Sequence, residues 1–310
     1  PPGRPRQPPP PSGSPTPRPG PPPLSPPRGS IFFYPRGGPE TLHLEMKDIH
    51  IVTVQDTDVT PFDTGAYASR QSFITGTAVK QCAEQLRDKI LAYAKTLLPE
   101  EETRELSLDH GWILAGDEEA ISLGALAQEC YYSLTNSSVI TAEVSTQVKK
   151  NTIATGCCFA EVEVDLNLGE IKILHIINVH DSGRLLNPQL AEMQVHGGMS
   201  MGMGYGLSEQ LILDEKTGRP LNGNLLDYKL MTALDTPDME AEFVELNDPV
   251  GPYGNKALGE PPAIPGAPAI RNAVLHATGV AFNEIPLTPQ RLIKAFTEAG
   301  LIGKEGEQHV

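Results

Sequence analysis

The sequence predicts an α+β fold in which mixed sheets are flanked by helices. Three observations carry this. Runs rich in β-branched residues mark strands at 49–54, 139–148, 153–165 and 171–179, and residues 161–165 alternate polar and apolar with period two. Stretches with apolar residues at helical spacing and recognisable caps mark helices over 76–98 and after Pro188, Pro268 and Pro289. The 310 residues, 39% of them hydrophobic, suffice for one large domain or two small ones.

Residues 1–40 form a Pro-rich segment with Arg, Gly and Ser and almost no aliphatic residue until its end. Such a tract cannot bury a core and is expected to be disordered or polyproline II. Its Pro-x-x-Pro spacings also match ligands of Pro-binding domains, a match that arises by chance at this Pro density. Residues 41–303 are the folded part, and 304–310 a frayed tail.

The strand at 49–54 leads into a long polar loop, 55–71, that ends Gly65-Ala66-Tyr67-Ala68-Ser69-Arg70-Gln71. A loop of this kind at a helix entry can turn backbone N–H groups toward an anion; it also reads as an ordinary Asx/Ser-rich turn. The helix that follows, 76–98, has Val79, Cys82, Leu86, Ile90 and Leu97 on one face. Residues 99–120 are charged and expected to be exposed, and 121–132 to be a short helix. Leu168-Gly169 is a hairpin turn between the later strands, and Cys157-Cys158-Phe159 is expected in the core of the middle one.

Asn187-Pro188 is a helix start, cap followed by first position, and Gln194 lies one to two turns in. The alternating Met and Gly residues at 197–204 let this helix pack closely. They do not open a helix after a strand, so they are not a dinucleotide fingerprint. A hairpin turns at 214–218, and a strand is expected near 240–246. Next comes Gly254-Asn255-Lys256-Ala257-Leu258-Gly259-Glu260-Pro261-Pro262, with a single carboxylate, Glu260, between a glycine and two prolines. The prolines bias this turn away from helix, and the glycine allows close approach. A surface turn with Glu260 in water is the plainer reading. A helix ending at Gly279 and a last one from Pro289 to Gly300 complete the chain.

A formal net charge of −15 argues against nucleic acid and against anionic membranes. No apolar run is long enough for a transmembrane helix, and no signal-peptide core is visible. The four cysteines show no paired metal or redox spacing and fit a reducing cytoplasm. His175, His180 and His196 are read as structural rather than as metal ligands.

Gly259-Glu260-Pro261-Pro262 followed by Ala267-Pro268-Ala269-Ile270-Arg271-Asn272-Ala273 resembles the C-terminal active-site segment of the xanthine dehydrogenase and aldehyde oxidase family of molybdenum hydroxylases. Asp181-x-Gly183-x-x-x-Asn187-Pro188 followed by Gln194-x-x-Gly197 resembles a second motif of the same family, and the loop through Ala68, Ser69 and Gln71 a third. The resemblance spans residues 45–298 and covers the C-terminal part of the family's molybdenum-binding subunit. It implies a two-lobed molybdopterin-binding domain with the cofactor cleft between the lobes. Glu260 would be the catalytic base that assists attack of a molybdenum-bound hydroxyl on an electron-poor carbon. Gln194 would contact the oxo group or the pterin, and Ala68, Ser69 and Gln71 would face the cofactor. Some relatives have Ser where this chain has Gln71. The metal would be held by pterin sulfurs, so no protein ligand set is expected. The implied substrate is a purine of the hypoxanthine or xanthine type. Electrons would leave through an iron–sulfur subunit and an FAD subunit, because no cluster-forming Cys set is present here. Two alternatives are a related hydroxylase of aldehydes or N-heterocycles, and an inactive fragment or assembly module. The family's upstream Gly-x-Gln-Gly contact and its purine-orienting Arg and aromatic groups have no match in this sequence.

Overall fold

The computed structural model describes residues 40–50, 58, 65–101, 104–147 and 150–303. The Pro-rich segment, most of the strand expected at 49–54, much of the loop after it and the tail at 304–310 lie outside the described residues. Two separate hydrophobic cores organise the rest, which matches the two lobes expected.

The first lobe begins with helix α1 (Gln71–Leu97). It starts five residues before the expected Gly76, because the polar opening Gln71-Ser72 hides the first turn from a reading by apolar period. Three short strands follow: β1 (Leu106–Asp109), β2 (Trp112–Ala115) and β3 (Glu118–Ser122). They pair antiparallel in the order β1-β2-β3. His110 (φ 43°) and Gly111 (φ 80°) supply the two left-handed residues of a tight hairpin turn. Helix α2 (Leu123–Tyr132) is capped by the Ser122 hydroxyl, which accepts from the Ala125 N–H. Leu106, Leu108, Ile113 and Ala115 are buried with Ala83, Ala94 and Leu126. Residues 99–120 are therefore not simply an exposed charged stretch. Interspersed acidic side chains point outward while Leu106, Leu108, Ile113 and Ala115 point into this core.

The segment from 139 to 147 is no strand, contrary to expectation. It runs back along α1 and satisfies side chains there: Lys89 Nζ donates to the Thr141 carbonyl (2.6 Å), Cys82 Sγ to that of Ala142 (3.3 Å), and Tyr93 Oη to that of Asn136 (3.0 Å).

The second lobe holds β4 (Thr155–Asp165), β5 (Glu170–Asp181) and β6 (Asp238–Phe243) in that order. β4 and β5 form the expected antiparallel hairpin, closed with Gly169 at φ 64°, whereas β6 runs parallel to β5. Of the two described sheets only this one is mixed. Cys157 and Phe159 lie on the outer face of the edge strand β4 and are exposed rather than core, while Cys158 between them packs against the core. Helices α3 (Pro188–Leu207), α4 (Gly266–Thr278) and α5 (Pro289–Glu298) pack with the sheet around Ile176, Val195, Met199, Met203, Ile270, Val274, Leu292 and Phe296. Asn187 caps α3 as expected, its Oδ1 accepting from the Leu190 N–H at 3.2 Å. Pro268 is the third residue of α4, still in the first turn, where its missing N–H is no loss. Between α3 and β6 lies an irregular arm whose hairpin pairs Leu213 with Pro220.

Glycines set how closely α3 approaches its neighbours. A Cβ at Gly198 would stand 2.5 Å from Pro262 Cβ, and one at Gly202 2.9 Å from the Ala263 carbonyl oxygen. Nothing lies within 4 Å of a Cβ built at Gly197. Gly198→Ala is therefore expected to destabilise the chain by roughly 1–3 kcal/mol. Gly197→Ala, one residue away, is expected to stabilise it by about 0.5–1 kcal/mol through helix propensity. Denaturant melts of the two variants check this; equal and opposite signs at the wrong positions would refute the packing.

Candidate active site

The turn that carries Glu260 is anchored on both sides. Upstream, Gly183 and Asn255 form an isolated antiparallel bridge, the Arg184 N–H donates to the Gly254 carbonyl (2.8 Å), and the Lys256 N–H donates to that of Ser182 (2.7 Å). Lys256 Nζ meets Asp181 Oδ2 at 2.6 Å, with the two side chains only 11% and 10% exposed. Burial pushes the Asp181 carboxyl up. The hydrogen bonds from Lys256 and the Gly183 N–H, with the Lys256 charge, outweigh it and hold the group below its usual range. Downstream, Pro262 is fully buried against Gly198, and its carbonyl accepts from Asn178 Nδ2 at 2.9 Å.

Between these anchors the Glu260 N–H donates to Ser69 Oγ at 2.6 Å, and the Ala263 N–H closes the turn on the Glu260 carbonyl at 3.0 Å. A Cβ on Gly259 would lie 3.0 Å from the same Ser69 Oγ, so a glycine there gives the hydroxyl its close approach. The backbone of Glu260 is thus fixed while its carboxylate is exposed. The turn sits at the rim of the core and directs the side chain away from it.

Ser69 belongs to the loop that enters α1. Ala68 (φ 51°) and Ser69 (φ 52°) are successive left-handed residues, each costing about 1 kcal/mol. Arg70 ties the loop by donating Nη1–H to the Gly65 carbonyl at 2.8 Å. Among the described residues no side chain caps α1, and its first turn carries no acid, so its positive dipole end is uncompensated there. Gln71 is the first residue of this helix. Its Nε2 donates to Thr75 Oγ1 at 2.8 Å, while its Oε1 is buried without a partner among the described residues.

Of the residues singled out in the sequence, Ser69 and Glu260 are in direct hydrogen-bond contact, and Gln71 lies two residues from that contact. Ala68 is exposed beside it. Gln194 is exposed on α3, one helical turn before Gly198 and hence on the side of α3 that meets Pro262; it makes no hydrogen bond among the described residues. His175 Nε2 lies 3.2 Å from Glu240 Oε1 across the parallel strands. His180 is buried opposite Gly156, with no partner for either ring nitrogen among the described residues, and burial pushes its pKa down, so it is neutral. Among the described residues no group of three or more His, Cys, Asp or Glu could hold a metal ion. Sequence reading missed the Asp181–Lys256 pair and the Asn178–Pro262 bond. The signal was present as opposite charges in two motifs otherwise rich in Gly and Pro, but not their proximity.

A buried Gln71 amide oxygen with no partner among the described residues, the N-terminus of α1 and the Glu260 turn hydrogen-bonded to Ser69 lie close together where the two lobes meet, an arrangement that suits an anionic ligand. Residues 39–237 match the family model described as the molybdopterin cofactor-binding domain, and the chain belongs to that family. It is 48% identical over 266 residues to the xanthine dehydrogenase molybdenum-binding subunit of Escherichia coli O157:H7, covering 85% of this chain and 35% of the relative. It is 33% identical over 263 residues to the probable hypoxanthine oxidase XdhD of the same organism, covering 83% of this chain and 26% of the relative. Its fold superposes on CO dehydrogenase from Oligotropha carboxidovorans with a TM-score of 0.79 and 26% identity, over 88% of this chain and 34% of that one. The chain therefore spans about a quarter to a third of the length of these proteins. The molybdopterin cofactor fits the residues present: its anionic phosphate suits the α1 N-terminus, and its donors suit Gln71 Oε1.

Two charge effects here work in the same direction. His180, depressed in the folded chain, contributes stability above its ordinary value of 6.5, which is lost as pH falls below that toward its folded pKa. Asp181, also depressed, contributes stability above its ordinary value of 3.8, lost as pH falls through its folded pKa. Stability should thus fall with acidification from neutral pH, and His180→Leu should flatten the slope just below 6.5. Lys256→Met, which strands a buried carboxylate, should cost about 3–5 kcal/mol at neutral pH. Urea titrations across pH measure both.

Proposed function

We propose that this chain supplies the base-bearing part of the cofactor site in a molybdenum hydroxylase of purines, of the hypoxanthine and xanthine type. The observation that carries the reading is the Ser69–Glu260 contact, which joins the loop at the α1 entry of one lobe to the anchored turn that bears the carboxylate in the other. The purine substrate is supported by the names of the relatives, a xanthine dehydrogenase subunit and a hypoxanthine oxidase. The CO dehydrogenase neighbour has the same fold, so the fold alone does not select a substrate.

In this reading the α1 N-terminus holds the cofactor's phosphate, Ser69 and the small Ala68 line its approach, and the Gln71 and Gln194 amides hydrogen-bond its polar edge. Molybdopterin, when bound, supplies the acceptor for the two electrons that leave the substrate carbon. Hydroxylation converts RH and water to ROH, two protons and two electrons. Glu260 takes one of those protons from the attacking, water-derived oxygen and returns it to solvent. Its fixed backbone holds the root of the side chain in place, and the exposed carboxylate is free to turn toward the cleft. The electrons pass to iron–sulfur and FAD partner chains. The assembly belongs in a reducing, cytoplasmic setting, which the four free thiols support. No described helix is long and apolar enough to cross a membrane.

In the assembled molybdenum subunit with its redox partners, Glu260→Gln should lower xanthine turnover by at least ~100-fold with molybdenum and pterin content unchanged. Normal turnover by that variant would remove the base assignment. Absence of molybdenum and pterin from the wild-type assembly would remove the cofactor reading.

A further inference from the structure

We propose that Tyr253 is a positioning residue: it locks the two lobes in the register that lets Ser69 of one reach the Glu260 N–H of the other. The inference rests on the reading of Glu260 as the base, but the contact it concerns is visible without it.

Tyr253 sits in a short 3-10 turn, Pro252–Gly254, at the edge of the second lobe. The turn is rigid. Asp248 Oδ1 accepts from the N–H groups of Val250 (2.8 Å) and Gly251 (2.9 Å), and the Asp248 N–H donates to the Gly254 carbonyl (3.1 Å). A Cβ at Gly251 would stand 1.8 Å from the Asn255 carbonyl oxygen, so the loop is closed on itself. Within it Tyr253 adopts φ 56°, a left-handed angle that a bulky residue adopts only when its contacts outweigh the preference for other angles.

Those contacts lie in the first lobe. The Tyr253 hydroxyl shares a hydrogen bond with Thr41 Oγ1, and Thr41 is buried. The Lys80 ammonium, from α1, stands 5.3 Å from the centre of the Tyr253 ring, within cation–π range. Nearby, Arg184 Nη1 meets Glu40 Oε1 at 2.7 Å, and the Arg184 N–H bonds the Gly254 carbonyl. That ion pair is about half exposed and contributes little by itself. Lys80 lies on the same helix whose first residue adjoins Ser69, and Tyr253 lies seven residues before Glu260 on a doubly anchored segment. The Tyr253 contacts and the Ser69–Glu260 bond therefore join the same pair of rigid pieces at two points. Releasing the first leaves the second with only the half-exposed Arg184–Glu40 ion pair beside it among the described polar contacts, too little to fix the register of the two pieces.

Amide hydrogen exchange at Glu260 reads this directly and needs no cofactor or turnover. With Tyr253→Leu, protection of the Glu260 amide should fall at least tenfold while the amides of Ile176 and Ile270 keep theirs. Tyr253→Phe, which retains the ring over Lys80 and loses only the hydroxyl, should fall between wild type and Leu. If Tyr253→Leu does not fold, Thr41→Val with Lys80→Met removes the same contacts from the other lobe and should give the same selective loss. Unchanged Glu260 protection in a folded variant that lacks these contacts would overturn the proposal, as would a uniform loss across both cores. A normal Glu260→Gln turnover would instead sink the base assignment and leave the lock standing.

Discussion

The geometry around Glu260 depends on the clamping of Pro262 between Gly198 of α3 and Asn178 of β5. A proline fully buried in a notch that only a glycine leaves open cannot shift without moving a helix or opening a hydrogen bond to the central strand. The backbone of Glu260, two residues upstream, inherits that immobility, while its carboxylate stays exposed. The Asp181–Lys256 pair does the same on the other side, at the end of the strand that carries Asn178. The turn is therefore fixed by the second lobe's core, while the feature it serves lies outside that core.

The electrostatics are divided between the lobes. The chain is strongly acidic, yet the mouth of α1 has no acid in its first turn and, among the described residues, no side-chain cap. An anion meets a local positive pole in a molecule that otherwise repels it. The second lobe contributes a negative group and a buried, already compensated ion pair. Such a split suits a ligand that is anionic at one end and reacts at the other.

Much of this was legible in the residues. The Asn187-Pro188 start of α3, the Gly279 end of α4, the β4–β5 hairpin and the 214–218 turn follow from caps and turn residues, which act locally. The sheet of the first lobe did not show itself, because strands of four or five residues with acidic outward faces look like charged surface. The 139–147 segment carried strand-forming residues but took its partners from α1 side chains, a tertiary choice that propensity cannot anticipate. At the site, the motif carrying Glu260 and the loop carrying Ser69 were each identifiable. Their hydrogen bond was not, since it joins residues far apart in the chain. Exposure of Glu260 is what the plainer reading of its turn expects, whereas that of Gln194 was invisible, because motifs name residues and not their surroundings.

The parallel pairing of β5 with β6 bears on how the molecule forms. The first lobe's meander joins near neighbours in sequence and can close early. The second sheet must wait for α3 and the whole intervening arm to be laid down before β6 can add beside β5. The Glu260 turn comes later still, and its last tie, to Ser69, requires both lobes to be complete. The Ser69–Glu260 tie therefore cannot form before both partners are in place, and a ribosome releasing this chain exposes the cradle well before it exposes the acid.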